Sequence, residues 1–432
     1  MSSLRSRPGA TLHGRAGVPG DKSISHRALL LGAIATGKSR VDGFLPAADC
    51  QATLDAVRSL GVRVEEHSPT SLTVHGVGLR GLPEPEKVID CQRSGTTMRL
   101  LAGLLAGQQA FSVLSGSVQL RRRPMARIVE PLRCMGATVL GRDGGRLPPL
   151  AIHGGNLRGI EYALPVASAQ VKSAILLAAL YARGATKLSV PGPARDHTER
   201  MLGAMGAALG TGEGTVHIEP GEPLDPVDMT VPGDISSAAY LLVAASLLPG
   251  SEITIEGVGV NPTRTGLLDI MRAMGADVAL GEQRVMGGEP VAQLGVRSAD
   301  LSGVEVGGDL VVRAIDEFPI LAVAATQARG ETIVRDAAEL RVKETDRIAT
   351  TVQELTRLGA DIEARPDGFA VRGPTPLQGT VVHSHGDHRL AMALAIAGLV
   401  ARGETVIEDT TCIADSFPGF ASTLVSLGAH IS

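Results

Sequence analysis

The chain has 432 residues, with 41 Lys plus Arg against 45 Asp plus Glu and a net charge of −4. That length exceeds one ordinary core and implies two domains. The slight acidity, the absence of tryptophan and an aromatic content of 2% exclude a basic, base-stacking nucleic-acid surface, and no apolar run approaches the ~20 residues that would span a bilayer.

Met1 to Gly20 are polar and Gly-rich and lack the apolar segment of a secretory signal. Cys50, Cys91, Cys134 and Cys412 lie far apart with no Cys-x-x-Cys pair, so reduced thiols in a cytoplasmic protein are expected, with neither a disulfide frame nor a zinc site. From there two kinds of helix alternate six times. The first kind is apolar on nearly all sides and ends near a glycine: Ser23 to Gly37, Thr96 to Gly107, Ala169 to Gly184, Ser236 to Gly250, Glu317 to Gly330 and His388 to Gly403. Such a helix must be buried all round.

The second kind is amphipathic and ends in Met/Leu-Gly-Ala/Val. The six cases are Leu60-Gly61-Val62, Met135-Gly136-Ala137, Met205-Gly206-Ala207, Met274-Gly275-Ala276, Leu358-Gly359-Ala360 and Leu427-Gly428-Ala429. Ile348, Val352, Leu355 and Leu358 show the helical spacing, and the glycine predicts a left-handed stop. Short β-prone strings follow, such as Ala137 to Leu140. The fold expected is α/β: two pseudo-threefold domains built from six repeated α/β units with buried inner helices, an inside-out α/β barrel. The chain divides as 1–20 with 234–432, and 21–233.

Polar residues gather where the buried helices begin: Asp21-Lys22-Ser23, Arg93-Ser94-Gly95-Thr96, Ser168-Ala169-Gln170, Asp234-Ile235-Ser236, Asp316-Glu317 and Asp387-His388-Arg389. Ser, Thr and Asp are ordinary caps. Lysine and arginine oppose the helix dipole there unless an anion also binds. Taken singly, each cluster reads as a solvated cap, an ordinary turn or a solvated face, as does Arg121-Arg122-Arg123. The His383, His385 and His388 cluster lacks a carboxylate set and reads as non-metal. Recurrence at equivalent places favours a phosphate or carboxylate ligand.

These residues also resemble a known family. Pro19 to Arg27, Ser94 to Arg99, Arg123 to Met125, Ser168 to Ser173, Arg195 to Glu199, Asp316 to Pro319, Arg341 to Arg347 and Asp387 to Met392 are similar, in order, to motifs of the 5-enolpyruvylshikimate-3-phosphate synthases. The resemblance implies an active site in the interdomain cleft, a monomer, and no metal or organic cofactor. It implies that the enolpyruvyl group of phosphoenolpyruvate moves to the 5-hydroxyl of shikimate-3-phosphate by addition and elimination. Lys22, Ser23, Arg27, Ser168, Ala169, Gln170, Arg195, Asp316 and Lys343 would hold shikimate-3-phosphate. Lys22, Gly95, Arg123, Gln170, Arg347 and Arg389 would hold phosphoenolpyruvate. Asp316 is expected as base and Glu344 as acid, with Lys22 stabilising charge and aiding proton transfer.

Three positions depart from the family pattern, one of them Ser168-Ala169, where one common form of the family has paired serines and the other bacterial class shares the alanine. Arg93 stands where Asn is usual, and Asp415 where many members carry Lys. Gly95 leaves room that an alanine would block, which favours sensitivity to glyphosate. A rival is the UDP-N-acetylglucosamine enolpyruvyl transferase, which typically has a Lys-Asn pair near Asp21-Lys22-Ser23 and a loop cysteine; Gln119 to Pro124 contains none. The other is a non-catalytic anion-binding protein on the same scaffold.

Overall fold

The structure, a computed structural model, describes residues 2–221 and 223–432. Its contacts divide the chain into a terminal unit, Met1–Pro19, Pro232–Arg284 and Pro290–Ser432, and a central unit, Gly20–Val231 with Val285–Glu289. Each unit has its own hydrophobic core, and each is made three times from one piece.

In that piece an edge strand precedes an inner helix. A strand parallel to the edge strand follows, then an outer helix and an antiparallel hairpin. In one example Ile89–Asp90 runs parallel to Phe111–Ser115, which pairs antiparallel with Leu147–His153, itself paired with Thr138–Gly141. Along Leu147–His153 alternate residues are buried, so one sheet face covers the inner helix. Chain order is broken at three places. Met229–Thr230 supplies the edge strand beside Thr36–Asp42, and His13–Gly17 the one beside Glu252–Gly259. Ser3–Ser6 pairs antiparallel with Thr405–Glu408, and the Arg5 and Ser432 amides each donate to the other's carbonyl at 2.8 and 3.0 Å.

The inner helices are α1 (Lys22–Ile34), α2 (Gly95–Ala106), α3 (Ala169–Ala179), α4 (Ile235–Leu247), α5 (Phe318–Gln327) and α6 (His388–Val400). Every residue from Ile235 to Ser246 and from His388 to Leu399 is buried. Helices α4, α5 and α6 pack pairwise, and α2 packs on α1 and α3. Small residues permit this: a β-carbon at Gly103 of α2 would collide with the Ala174 carbonyl of α3. Asp21, Ser94, Ser168, Asp234 and Asp387 cap α1, α2, α3, α4 and α6 with their side chains, and α5 carries Pro319 in its first turn.

All six signature glycines have positive φ, from +74° at Gly61 to +107° at Gly136 and Gly428. In each case the glycine N–H bonds three residues back and the next N–H five back. Gly359 donates to Thr356 at 2.9 Å and Ala360 to Leu355 at 3.0 Å; Gly61 and Val62 repeat this with Arg58 and Val57. This is the Schellman closure, which needs a residue free of a β-carbon at the left-handed position.

Candidate active site

In the central unit the polar residues surround the beginnings of α1, α2 and α3. Lys22, the first residue of α1, pairs with Asp49 at 3.2 Å. One turn on, Arg27 is 4% exposed. Its Nε donates to Thr198 Oγ1 and its Nη2 to Ser173 Oγ, both at 2.7 Å, and Nη1 donates to the Ser23 carbonyl at 2.9 Å. Burial pushes the Arg27 guanidinium down to about 10, with Glu199 and Asp21 opposing, so it stays charged at neutral pH. Arg195, half-buried just before the outer helix His197–Ala204, is among the charges that act on it.

Gln170 ties α3 to α2. Its Oε1 accepts from Arg99 Nη1 at 2.6 Å, and its Nε2 donates to Thr96 Oγ1 at 2.9 Å. Gly95 lies under two guanidinium groups: a β-carbon there would stand 2.9 Å from Arg99 Nη1 and 3.1 Å from Arg123 Nη1. Ser168 turns its hydroxyl to the Val171 amide at 3.5 Å, and Ala169 begins α3 beside it. Ser23 and Arg27 are thus brought together, as are Gly95 and Arg123, with Gln170 joined to the latter pair through Arg99.

In the terminal unit the beginnings of α4, α5 and α6 converge. Arg347, 2% exposed, starts the outer helix Arg347–Arg357. It donates to Asp387 Oδ2 at 2.7 Å, Glu344 Oε2 at 2.6 Å and Asp316 Oδ1 at 3.4 Å. Arg389 donates to the Asp316 carbonyl at 3.3 Å and lies 3.6 Å from its carboxylate. Asp316 therefore sits between two arginines. Burial alone would lower both guanidinium pKa values. Glu344 and Asp387 outweigh it at Arg347, and Asp316 leads the groups that outweigh it at Arg389, so both end raised. Burial likewise works against the Asp387 carboxylate, yet Arg347 holds it below the usual range. Lys343 is half-buried and pushed down by burial, with Asp316 opposing.

Asp316 and Glu344 thus share Arg347 with Asp387. The arrangement can accept and donate protons among fixed positive charges. The sixfold repeat, the helix starts and this cluster can be set beside known proteins. Residues 6–424 match the family described as EPSP synthase (3-phosphoshikimate 1-carboxyvinyltransferase).

The chain belongs to the EPSP synthase family.

The 3-phosphoshikimate 1-carboxyvinyltransferase of Geobacter sulfurreducens is 56% identical over 424 residues, covering 98% of this chain and 99% of the relative. That of Desulforamulus reducens is 51% identical over 417 residues, covering 96% and 97%. A solved EPSP synthase from Acinetobacter baumannii superposes with a TM-score of 0.92 at 43% identity, covering 100% of this chain and 99% of that one. The two-domain α/β fold read from the repeats is the fold of that structure. The family match spans every site residue from Lys22 to Arg389.

Sequence reasoning missed several members of these clusters. Arg264 is 2% exposed and donates to Asp234 Oδ1 at 3.1 Å and Ser236 Oγ at 2.9 Å. Ser236 donates in turn to Glu317. Arg264 precedes the outer helix Gly266–Ala273 as Arg347 begins its own, so comparison of repeats was the signal that could have found it. Lys172 and Glu199 form a buried pair in the central unit; a lysine inside an apolar helix signals such a partner. A buried relay also joins α1 to α2. His26 Nδ1 and Thr53 Oγ1 are 2.6 Å apart, Thr53 and Thr97 hydroxyls 2.6 Å, and Thr97 Oγ1 donates to Ser94 Oγ at 2.7 Å.

Of the atypical positions, Arg93 is exposed and Asp415 half-buried. The Cys412 thiol is pushed up to about 11 by burial first and by Asp415 second among the groups acting in that direction. Among the described residues no group of three His, Cys, Asp or Glu is placed to hold a metal, and no helix is long and apolar enough to cross a membrane.

Proposed function

We propose that the chain transfers the enolpyruvyl group of phosphoenolpyruvate to the 5-hydroxyl of shikimate-3-phosphate and releases phosphate. Family membership over residues 6–424 carries the reading. Both substrates bear a phosphate and a carboxylate, and arginine suits both groups through paired N–H donors. Ser23, Arg27, Ser168, Ala169, Gln170, Arg195, Asp316 and Lys343 take shikimate-3-phosphate. Gly95, Arg123, Gln170, Arg347 and Arg389 take phosphoenolpyruvate, and Lys22 touches both.

In this account Asp316 accepts the 5-hydroxyl proton as the oxygen attacks C2 of the enol. Glu344 gives a proton to C3, and a tetrahedral intermediate forms. Phosphate then leaves among the cations as the C3 proton is withdrawn and the enol ether is restored. Lys22 stabilises developing charge and assists proton transfer. Asp316 lies 3.4 Å from Arg347 and 3.6 Å from Arg389, which supports its role as a base among fixed positive charges. A monomer in the cytoplasm, without metal or organic cofactor, completes the reading.

The test is phosphate release from the purified protein with no metal added. Release should require both substrates and stop when UDP-N-acetylglucosamine replaces shikimate-3-phosphate. Release without shikimate-3-phosphate, or none from folded protein, would contradict the assignment.

A further inference from the structure

Glu354 is a buried carboxylate that the reaction does not use. It lies on the outer helix Arg347–Arg357, about two turns after Arg347 and on the same side, and is 0% exposed. Its Oε2 accepts the His383 amide N–H at 3.0 Å, and its Oε1 is hydrogen-bonded to His385 Nε2 at 2.8 Å. Arg357 lies 3.6 Å away. An apolar residue would pack this helix at less desolvation cost, so what distinguishes Glu354 is its hold on the loop that leads into α6.

That loop is held under strain. His385 has φ +53°, a left-handed backbone uncommon for a side chain with a β-carbon. Such a conformation persists when its surroundings over-determine it. Ser384, 0% exposed, fixes the opposite side: its Oγ donates to the Asp409 carbonyl at 2.7 Å and accepts the Gly386 N–H at 3.0 Å. The Asp387 amide then bonds to the Ser384 carbonyl at 2.9 Å. Two residues beyond His385, the Asp387 carboxylate takes Arg347 and caps the Arg389 amide at 2.9 Å. The helix and the loop are therefore joined twice, by Arg347 with Asp387 and by Glu354 with His383 and His385.

We propose that Glu354 and His385 are positioning residues that set the spacing of Arg347, Asp387 and Arg389. The proposal rests on the reading that these arginines hold phosphoenolpyruvate. Neither Glu354 nor His385 touches substrate; each acts through the loop.

The experiment compares His385→Gly, Glu354→Leu and Glu354→Gln with Arg389→Lys, measuring KM for each substrate, kcat, binding of shikimate-3-phosphate alone and Tm. His385→Gly relieves the left-handed strain while removing the ring, so it folds even if Glu354→Leu does not. It should raise KM for phosphoenolpyruvate roughly ten- to a hundredfold, while binding of shikimate-3-phosphate alone stays within about twofold. Glu354→Leu should do the same. Glu354→Gln, which can still accept from the His383 amide and bond to His385, should recover most of the affinity. The proposal is overturned if Arg389→Lys raises KM for phosphoenolpyruvate while His385→Gly does not. It is also overturned if the variants weaken both substrates equally in step with a fall in Tm. An unchanged KM in Arg389→Lys would remove the substrate reading itself, and the proposal with it.

Discussion

Asp316 lies within reach of Arg347 and Arg389, so deleting its side chain would disturb two arginines as well as a proton acceptor. Asp316→Asn keeps the shape and removes the basicity. It should lower kcat by about 10²–10⁴-fold with both KM values within a few-fold; turnover like the wild type would remove Asp316 from the mechanism. His26 offers a test of burial. Desolvation lowers its pKa from 6.5 to about 3, with the Asp49 charge opposing and Lys22 and Arg27 assisting. Below pH 6.5 the unfolded chain binds a proton here that the folded chain refuses until about pH 3. The stability is complete above 6.5 and falls by about 1.4 kcal/mol for each pH unit below it. Asp387, held below 3.8, adds its own loss only at lower pH. His26→Asn should therefore flatten the fall in Tm between pH 7 and pH 5, and an unchanged slope would show that His26 is not the group responsible. Lys22 and Arg389 were legible because a cation at a helix start contradicts the dipole, whereas Arg27 and Arg347 were legible only through the resemblance of their motifs. Arg264, Glu354 and His26 were not, because their partners lie 27 to 31 residues away in sequence.

The outer helices end in the same way because the closure is a backbone requirement. Gly359 has φ +89°, and an added β-carbon would meet only the Pro376 carbonyl oxygen, at 4.0 Å. Space is available, so the cost of Gly359→Ala is conformational, about 1–2 kcal/mol, or roughly 2–4 °C in Tm per kcal/mol. An unchanged Tm would show that the left-handed cap adds little. This element was readable because only glycine takes the position cheaply. The inner helices were readable because an apolar residue on every side leaves no other placement. The strands were harder. Ile89–Asp90 and Met229–Thr230 are two residues long, too short for alternation to show. The pairing of Ser3–Ser6 with Thr405–Glu408 joins segments at opposite ends of the sequence, and no local pattern encodes it.

At the scale of the molecule, a net charge of −4 coexists with the buried arginines Arg27, Arg264, Arg347 and Arg389. On the proposed assignment, attraction of a polyanionic substrate is local, through helix N-termini and paired guanidinium groups. Six copies of one piece bring such starts together in each unit, and neighbouring carboxylates hold the arginines charged. Repetition made the class of ligand legible; the chemistry came from the resemblance of particular motifs. Transfer and simple hydrolysis of phosphoenolpyruvate both release phosphate, so the fate of the carbon skeleton decides between them. The measurement is a carbon NMR spectrum of the protein with shikimate-3-phosphate and phosphoenolpyruvate labelled at C2. The label should appear in an enol ether on the shikimate ring, one for each phosphate released. Label in pyruvate, or label that never leaves phosphoenolpyruvate, would contradict the account.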